Sequence, residues 1–213
     1  MFSRARSCSW PPVCVRVAPS TDPPSLLLTH RVLKKVMKRF PSGSAAGPSG
    51  FTFGHLKAAL QGSRSCCDQT IQFVNKVNGG ELPPMPEMLG SRLVPLQKSK
   101  GGIRPIAVGE VWMRLCSFCA IVLCDNAGRA LAPKQLGVGV AGGVQCIGHA
   151  LRAEVLAHPN NVTVATDTRN AFNTIHRAAV LKAIAERLPQ LCASVNWAYS
   201  ACKVLWRFGR FAR

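Results

Sequence analysis

The middle of the chain carries two short apolar segments separated by a turn, and this pattern limits the fold more than any other feature. Residues 91–97 and 103–108 each have the length and the side-chain types of a β-strand. Lys98-Ser-Lys-Gly-Gly102 supplies the small and polar residues of the turn between them. Prolines within both segments place these strands at a sheet edge, because proline has no backbone N–H. The sequence therefore predicts a β-hairpin.

Helical periodicity dominates the rest of the chain. One more short strand is predicted over residues 162–167, and it ends in Asp167. The combination of scattered strands with many helices predicts a mixed fold, α+β or α/β, and excludes a helical bundle. The predicted helices begin at about Thr29, cover 53–61, 67–78 and 111–126, follow the glycine-rich loop 137–143 to about Ala157, and cover 171–188 and 191–206.

The charge balance is strongly basic, with 27 Lys and Arg residues against 9 Asp and Glu residues, a net charge of +18. Such an excess favours a polyanionic partner such as RNA or DNA, although a merely basic or ribosomal-type protein is the alternative. On the first predicted helix, the basic residues stand opposite an apolar stripe, where they could follow a phosphate backbone or simply be solvated. These are Lys34, Lys35, Lys38 and Arg39.

Cysteine usage and hydropathy bear on the compartment. The 10 cysteines are irregularly spaced, which indicates free thiols in a reducing, intracellular setting, cytoplasm or nucleus, rather than a disulfide scaffold. No apolar run reaches the length of a membrane span, so we expect no membrane partner. The first 28 residues are rich in Pro, Ser and Arg, which predicts a disordered basic leader and only faintly resembles a transit peptide.

Two motifs are typical of other functions. Gly137-Val-Gly-Val-Ala-Gly142 matches the dinucleotide-binding pattern, but no apolar strand leads into it, as that pattern requires. Cys116 and Cys119 could pair with Cys146 and His149 in a zinc site. The first two cysteines lie in an apolar run, where cysteine usually behaves as a small core residue. Neither motif is favoured.

Asp167 is the strongest single candidate for a metal-binding residue. A carboxylate at the end of an apolar strand, followed by a loop and a helix, suits Mg²⁺, which prefers oxygen ligands. A helix-capping aspartate is the alternative.

Five segments together resemble a known family. The stretch from Val164 to Asn173, with Asp167 and Phe172, resembles the first catalytic motif of reverse transcriptases from non-LTR retrotransposons. The segments 43–50, 92–98, 101–115 and 135–143 resemble other parts of these RNA-directed DNA polymerases, in the same order. The resemblance covers about residues 30–205. It implies part of a right-hand polymerase fold, with 29–160 fingers-like, 161–206 the first part of a palm, and 207–213 a divergent tail.

The resemblance also implies roles for particular residues. Asp167 would bind two Mg²⁺ ions, and the backbone carbonyl of Thr168 would bind one of them. Phe172 would lie under the sugar of a deoxynucleoside triphosphate, whose phosphates Lys98 and Arg104 would contact. RNA template and DNA primer would be the partners, and the oligomeric state stays open. Further candidates for nucleic-acid contact are Lys100, which competes with Lys98 for the triphosphate, and Arg114.

The family's second catalytic motif, Tyr/Phe-x-Asp-Asp, is missing. The chain has four aspartates and no two adjacent acidic residues, and the resemblance runs out near Leu205. Since two closely spaced metal ions need more than one carboxylate, we expect no primer extension by these residues alone. The resemblance thus implies an N-terminal fragment of a reverse transcriptase. The alternative is a non-catalytic basic remnant that binds nucleic acid.

Overall fold

A computed structural model describes residues 3–4, 18, 26–41, 43–99, 101–124, 128, 131, 134–137, 139–168, 174–200 and 205–207. The helices are α1 (His30–Arg39), α2 (Phe53–Gly62), α3 (Arg64–Asn78), α4 (Pro86–Leu89), α5 (Val111–Leu123), α6 (Gly143–Ala157), α7 (Arg177–Arg187) and α8 (Cys192–Tyr199), with a 3-10 turn over Pro189–Leu191. The strands are β1 (Ser3–Arg4), β2 (Ser91–Gln97), β3 (Ile103–Gly109) and β4 (Leu205–Arg207). The chain is α+β, one of the two mixed folds that the sequence predicts.

The main core lies among α1 to α5. Helix α1 buries Leu33, Val36 and Met37, which are spaced so that they share one face. Helix α5 crosses the same core and buries Leu115 and Cys116 completely. Helix α5 contacts α1, α3 and α4, and α3 also contacts α1, α2 and α8, so these two helices connect most of this part of the structure.

Two helix starts are fixed by side-chain caps, which supply acceptors to otherwise unpaired backbone N–H groups. Thr52 accepts from the backbone N–H of His55, whose ring in turn accepts from the N–H of Thr52, so α2 begins with a capping box. Ser63 accepts from the N–H of Cys66 at the start of α3. Ser63 is therefore both the C-cap of α2 and the N-cap of α3.

Helix α8 is attached to the main core through buried polar contacts. The Trp197 Nε1–H donates to the carbonyl of Leu82 at 2.8 Å. The Ser194 hydroxyl donates to the Asn78 side-chain oxygen at 3.0 Å, and the amide of Asn78 donates to the carbonyl of Cys116 at 3.3 Å. These paired groups connect α3, α5 and α8 at low desolvation cost.

The predicted hairpin is confirmed. Strands β2 and β3 pair antiparallel from Ser91 opposite Gly109 to Gln97 opposite Ile103. Gly101 and Gly102 have φ values of 84° and 86°, a region that suits glycine. The sheet order is β1-β4-β2-β3. The edge prediction is therefore right for β3, whereas β2 also pairs with β4 at Ser91–Leu93, before its proline.

The strand predicted over 162–167 is wrong. Residues 161–168 form neither helix nor strand. Val162 and Val164 are 86% and 75% exposed, so the apolar alternation is not covered by any neighbour. A β-strand needs a hydrogen-bonded partner, and no strand in the described part of the chain pairs with this segment.

The two last predicted helices are shorter than expected. The prediction of a helix over 171–188 holds from Arg177, and residues 171–173 lie outside the described residues. Pro189 starts a 3-10 turn that separates α7 from α8. The helix predicted to residue 206 ends at Tyr199. Leu205–Arg207 is strand β4 instead, which corrects the helical assignment there.

The end of the predicted disordered leader contacts the folded core. Leu28 is buried, and its backbone N–H donates to the Asn75 side-chain oxygen at 2.7 Å. The Asn75 amide returns a hydrogen bond to the carbonyl of Leu28 at 3.3 Å. Most of residues 1–25 lie outside the described residues. Among the helices that are described, none is long and apolar enough to span a membrane.

Candidate nucleic-acid interface

The solvent side of α1 carries a row of exposed cations, as the sequence predicts. Its opposite side is the buried stripe described above, so the basic side chains cannot turn inward without disrupting the core. Lys38 and Arg39 lie in the last turn, where they also interact favourably with the helix dipole. This basic face of α1 consists of Lys34, Lys35, Lys38 and Arg39.

The hairpin carries two further exposed cations near its tip. Arg104 lies on β3 directly opposite Leu96 of β2. The backbone N–H of Lys98 donates to the carbonyl of Gly102 at 3.0 Å, so the pairing continues one step beyond β2. Since side chains alternate along a strand, Lys98 shares a face with Leu96 and therefore with Arg104. The hairpin thus puts two cations on one face.

A cleft lies between the end of α1, the base of the hairpin and α5. Its volume is about 460 Å³, and it is bordered by Phe40 at the end of α1, by Ser91 and Ala107 at the base of the hairpin, and by α5. The C-terminal end of the basic face of α1 therefore approaches the base of the strands that carry Lys98 and Arg104.

Arg114 borders this cleft but is engaged with the protein. Its Nη1 donates to the carbonyl of Ala45 at 2.9 Å. Its guanidinium carbon lies 4.7 Å from the centre of the Phe53 ring, a cation–π contact. The side chain thereby connects the loop before α2 to α5.

A second contact fixes the same loop, and sequence reasoning did not find it. Glu110, only 6% exposed, precedes α5. One of its carboxylate oxygens accepts from the backbone N–H of Ser49 at 2.6 Å, and the other accepts from the Ser49 hydroxyl at 2.8 Å. A Cβ at Gly47 would lie 2.8 Å from the Glu110 Cα, so the loop approaches this closely only with glycine there. We call these contacts the Glu110 latch.

The two residues expected to bind metal lie next to each other outside any helix or strand. Asp167 and Thr168 are exposed in the irregular segment 161–168, and Phe172 and Lys100 lie outside the described residues. Glu154 on α6 instead accepts from Asn161 at 3.1 Å and lies 3.1 Å from the His158 ring nitrogen. Within the described parts of the chain, no group of three or more His, Cys, Asp or Glu residues could hold a metal ion. These residues do not fit a two-magnesium centre, and we assign no catalytic step to Asp167.

The zinc alternative also lacks support from the geometry. Cys116 and Cys119 are buried in the main core, whereas Cys146 and His149 are exposed on α6. Burial raises the pKa of the Cys116 thiol, and the neighbouring Cys119 adds to the rise. Burial raises the pKa of Cys119 to about 12. Both thiols thus pack as small core residues.

The glycine motif at 137–142 has a local structural role. Gly142 has a φ of 68° and directly precedes α6. A Cβ on Gly143 would meet the carbonyl of Leu136. The close turn into the helix therefore needs glycine whether or not a cofactor binds there.

Comparisons with known proteins add no assignment. No protein-family model matches the chain, and no curated protein is significantly similar to it.

Proposed function

We propose that the chain is a fingers-like region related to reverse transcriptases and that it binds nucleic acid and nucleoside triphosphates through two basic groups. The observation that carries the proposal is the pair Lys98 and Arg104 on one face of the β2–β3 hairpin. The five collinear segments that resemble non-LTR reverse transcriptases support the same interpretation.

The chemistry of the hairpin suits a triphosphate. Arg104 offers a planar set of N–H donors, and Lys98 offers a mobile point charge. Both are exposed, so phosphate oxygens can reach them without displacing protein. Charge-assisted hydrogen bonds to phosphate are about twice as strong as neutral ones. In the proposed role, the hairpin holds the phosphates of a deoxynucleoside triphosphate.

The basic face of α1 suits a nucleic-acid backbone. Four exposed cations along one helix of 10 residues can follow successive phosphates of an RNA template or a DNA primer. Such contacts carry affinity rather than sequence preference. One carboxylate, Asp167, in an irregular segment gives no basis for two-metal catalysis by this chain alone, so we propose binding as the activity of the chain.

Replacing both hairpin cations tests the proposal. Lys98→Gln with Arg104→Gln is expected to weaken binding of radiolabelled dTTP about tenfold in equilibrium dialysis, because two charged contacts to phosphate are lost. The unchanged chain should bind dTTP more tightly than thymidine, which has no phosphates.

The matched control is Lys76→Gln with Arg152→Gln, which removes the same charge from exposed positions on α3 and α6. We expect it to keep dTTP binding within about twofold, since nonspecific surface charges contribute little. Equal losses in the two variants, or equal binding of dTTP and thymidine, would contradict a triphosphate site on the hairpin.

A further inference from the structure

A second, larger cavity lies on the structure outside the basic groups. Its volume is about 1050 Å³, and it opens between the loop before α2 and helices α3, α4 and α5. Its walls are mainly apolar and include Phe51, Phe73 and Trp112, with Met85 and Met88 beside them. A volume of this order matches the upper range of small-molecule sites.

The three aromatic rings form a connected wall. The centres of the Phe51 and Trp112 rings are 5.9 Å apart, and their planes differ by 5°. The Phe73 ring meets Trp112 edge-on, at 5.6 Å and 78°. All three side chains are only half-buried, so ring surface stays accessible from the cavity. The face of an aromatic ring carries negative partial charge and attracts cations.

The charge of the lining has the opposite sign to the chain as a whole. The chain carries +18, yet among the described residues that line the cavity the only charged ones are Glu87 and Glu110. Glu87 is exposed in the first turn of α4. Glu110 is buried, and both its oxygens accept hydrogen bonds from Ser49. A phosphate would be repelled here, whereas a cation would be attracted.

We propose that this cavity binds a small organic cation, an ammonium ion attached to an aromatic or aliphatic body. The apolar body would contact the methionines and the aromatic wall, and the ammonium group would lie near Glu87 and a ring face. The site does not depend on the nucleic-acid function, because none of its lining residues belongs to the basic face of α1 or to the hairpin.

Methionine-methyl NMR tests the proposal on the complete chain. The chain has five methionines, of which Met85 and Met88 line the cavity. Met37 is buried in the main core and Met113 borders the smaller cleft, so they serve as internal controls. Benzyltrimethylammonium should shift the Met85 and Met88 signals and leave the two controls in place. It should bind about fivefold more tightly than benzyl alcohol, and benzoate should bind most weakly.

A charge variant distinguishes a cation-binding site from a groove that binds any apolar molecule. Glu87→Gln should reduce the preference for benzyltrimethylammonium over benzyl alcohol about two- to fivefold, while Glu81→Gln, an exposed acid outside the cavity, should leave it unchanged. Because Glu87 is exposed, the variant should fold normally. Equal binding of the three probes, an unchanged preference in Glu87→Gln, or shifts confined to Met37 or Met113 would overturn the proposal.

Discussion

Neutralising the basic face of α1 is expected to reduce affinity for single-stranded RNA about 25- to 100-fold at about 0.1 M salt. The change is Lys34→Gln, Lys35→Gln, Lys38→Gln and Arg39→Gln together. Each lost phosphate contact on a single strand lowers the salt exponent of binding by about 0.7, and two or three lost contacts give this range. Fluorescence anisotropy with a labelled oligonucleotide measures the loss.

A charge-matched variant shows whether the position of the cations matters. The control replaces four exposed cations that lie on α3, α6 and α7 with glutamine, namely Arg64, Lys76, Arg152 and Lys182. Both variants have the same net charge. We expect the control to lose less than about threefold in affinity, because long-range attraction is screened within about 10 Å at this salt concentration. A loss equal to that of the α1 variant would mean that the charge acts diffusely and that α1 is not the binding face.

Phe53→Ala is expected to destabilise the fold by about 3–5 kcal/mol. The Phe53 side chain is 1% exposed. Its ring stacks on Phe40 with centres 3.8 Å apart, and Arg114 lies over it at 4.7 Å. The substitution therefore leaves a cavity and removes the surface against which the arginine packs. A loss of this size corresponds to a fall in Tm of roughly 6–20 °C for a chain of this length.

Thermal unfolding followed by circular dichroism at 222 nm measures this effect. Leu156→Ala is the matched control, because Leu156 on α6 is 77% exposed and its removal should change Tm by less than about 2 °C. The variants should also differ in urea, with the midpoint of Phe53→Ala lower at an unchanged slope. A Tm for Phe53→Ala within about 2 °C of the parent would contradict the packing described for α1, α2 and α5.

The hairpin was predictable from the sequence because its determinants are local. Strand length and the small residues of the turn lie within 19 consecutive positions, and the observed pairing runs from Ser91 to Gly109. Helices α2 and α3 were predictable for the same reason, since residues near Gly62 and Gly79 separate them from their neighbours.

The segment 162–167 shows where local patterns fail. Apolar alternation there satisfies the strand pattern, but pairing depends on a partner that a pattern does not supply. The Glu110 latch could not be predicted from the sequence for a related reason. Ser49 and Glu110 are 61 positions apart, and only the folded chain brings them into contact. The contact between Arg114 and Ala45 was not predictable either, because in the sequence a basic residue is an equally good candidate for a phosphate ligand.

The salt dependence of RNA binding by the unchanged chain tests most directly whether its cations act as a nucleic-acid interface. Affinity is measured for one single-stranded oligonucleotide from about 50 to 300 mM KCl. Two or three phosphate contacts from the basic face of α1, at about 0.7 each on a single strand, predict a slope of log K against log salt of about −1.5 to −2. Absence of binding at about 50 mM KCl, or a slope weaker than about −1, would contradict a nucleic-acid interface built from these residues.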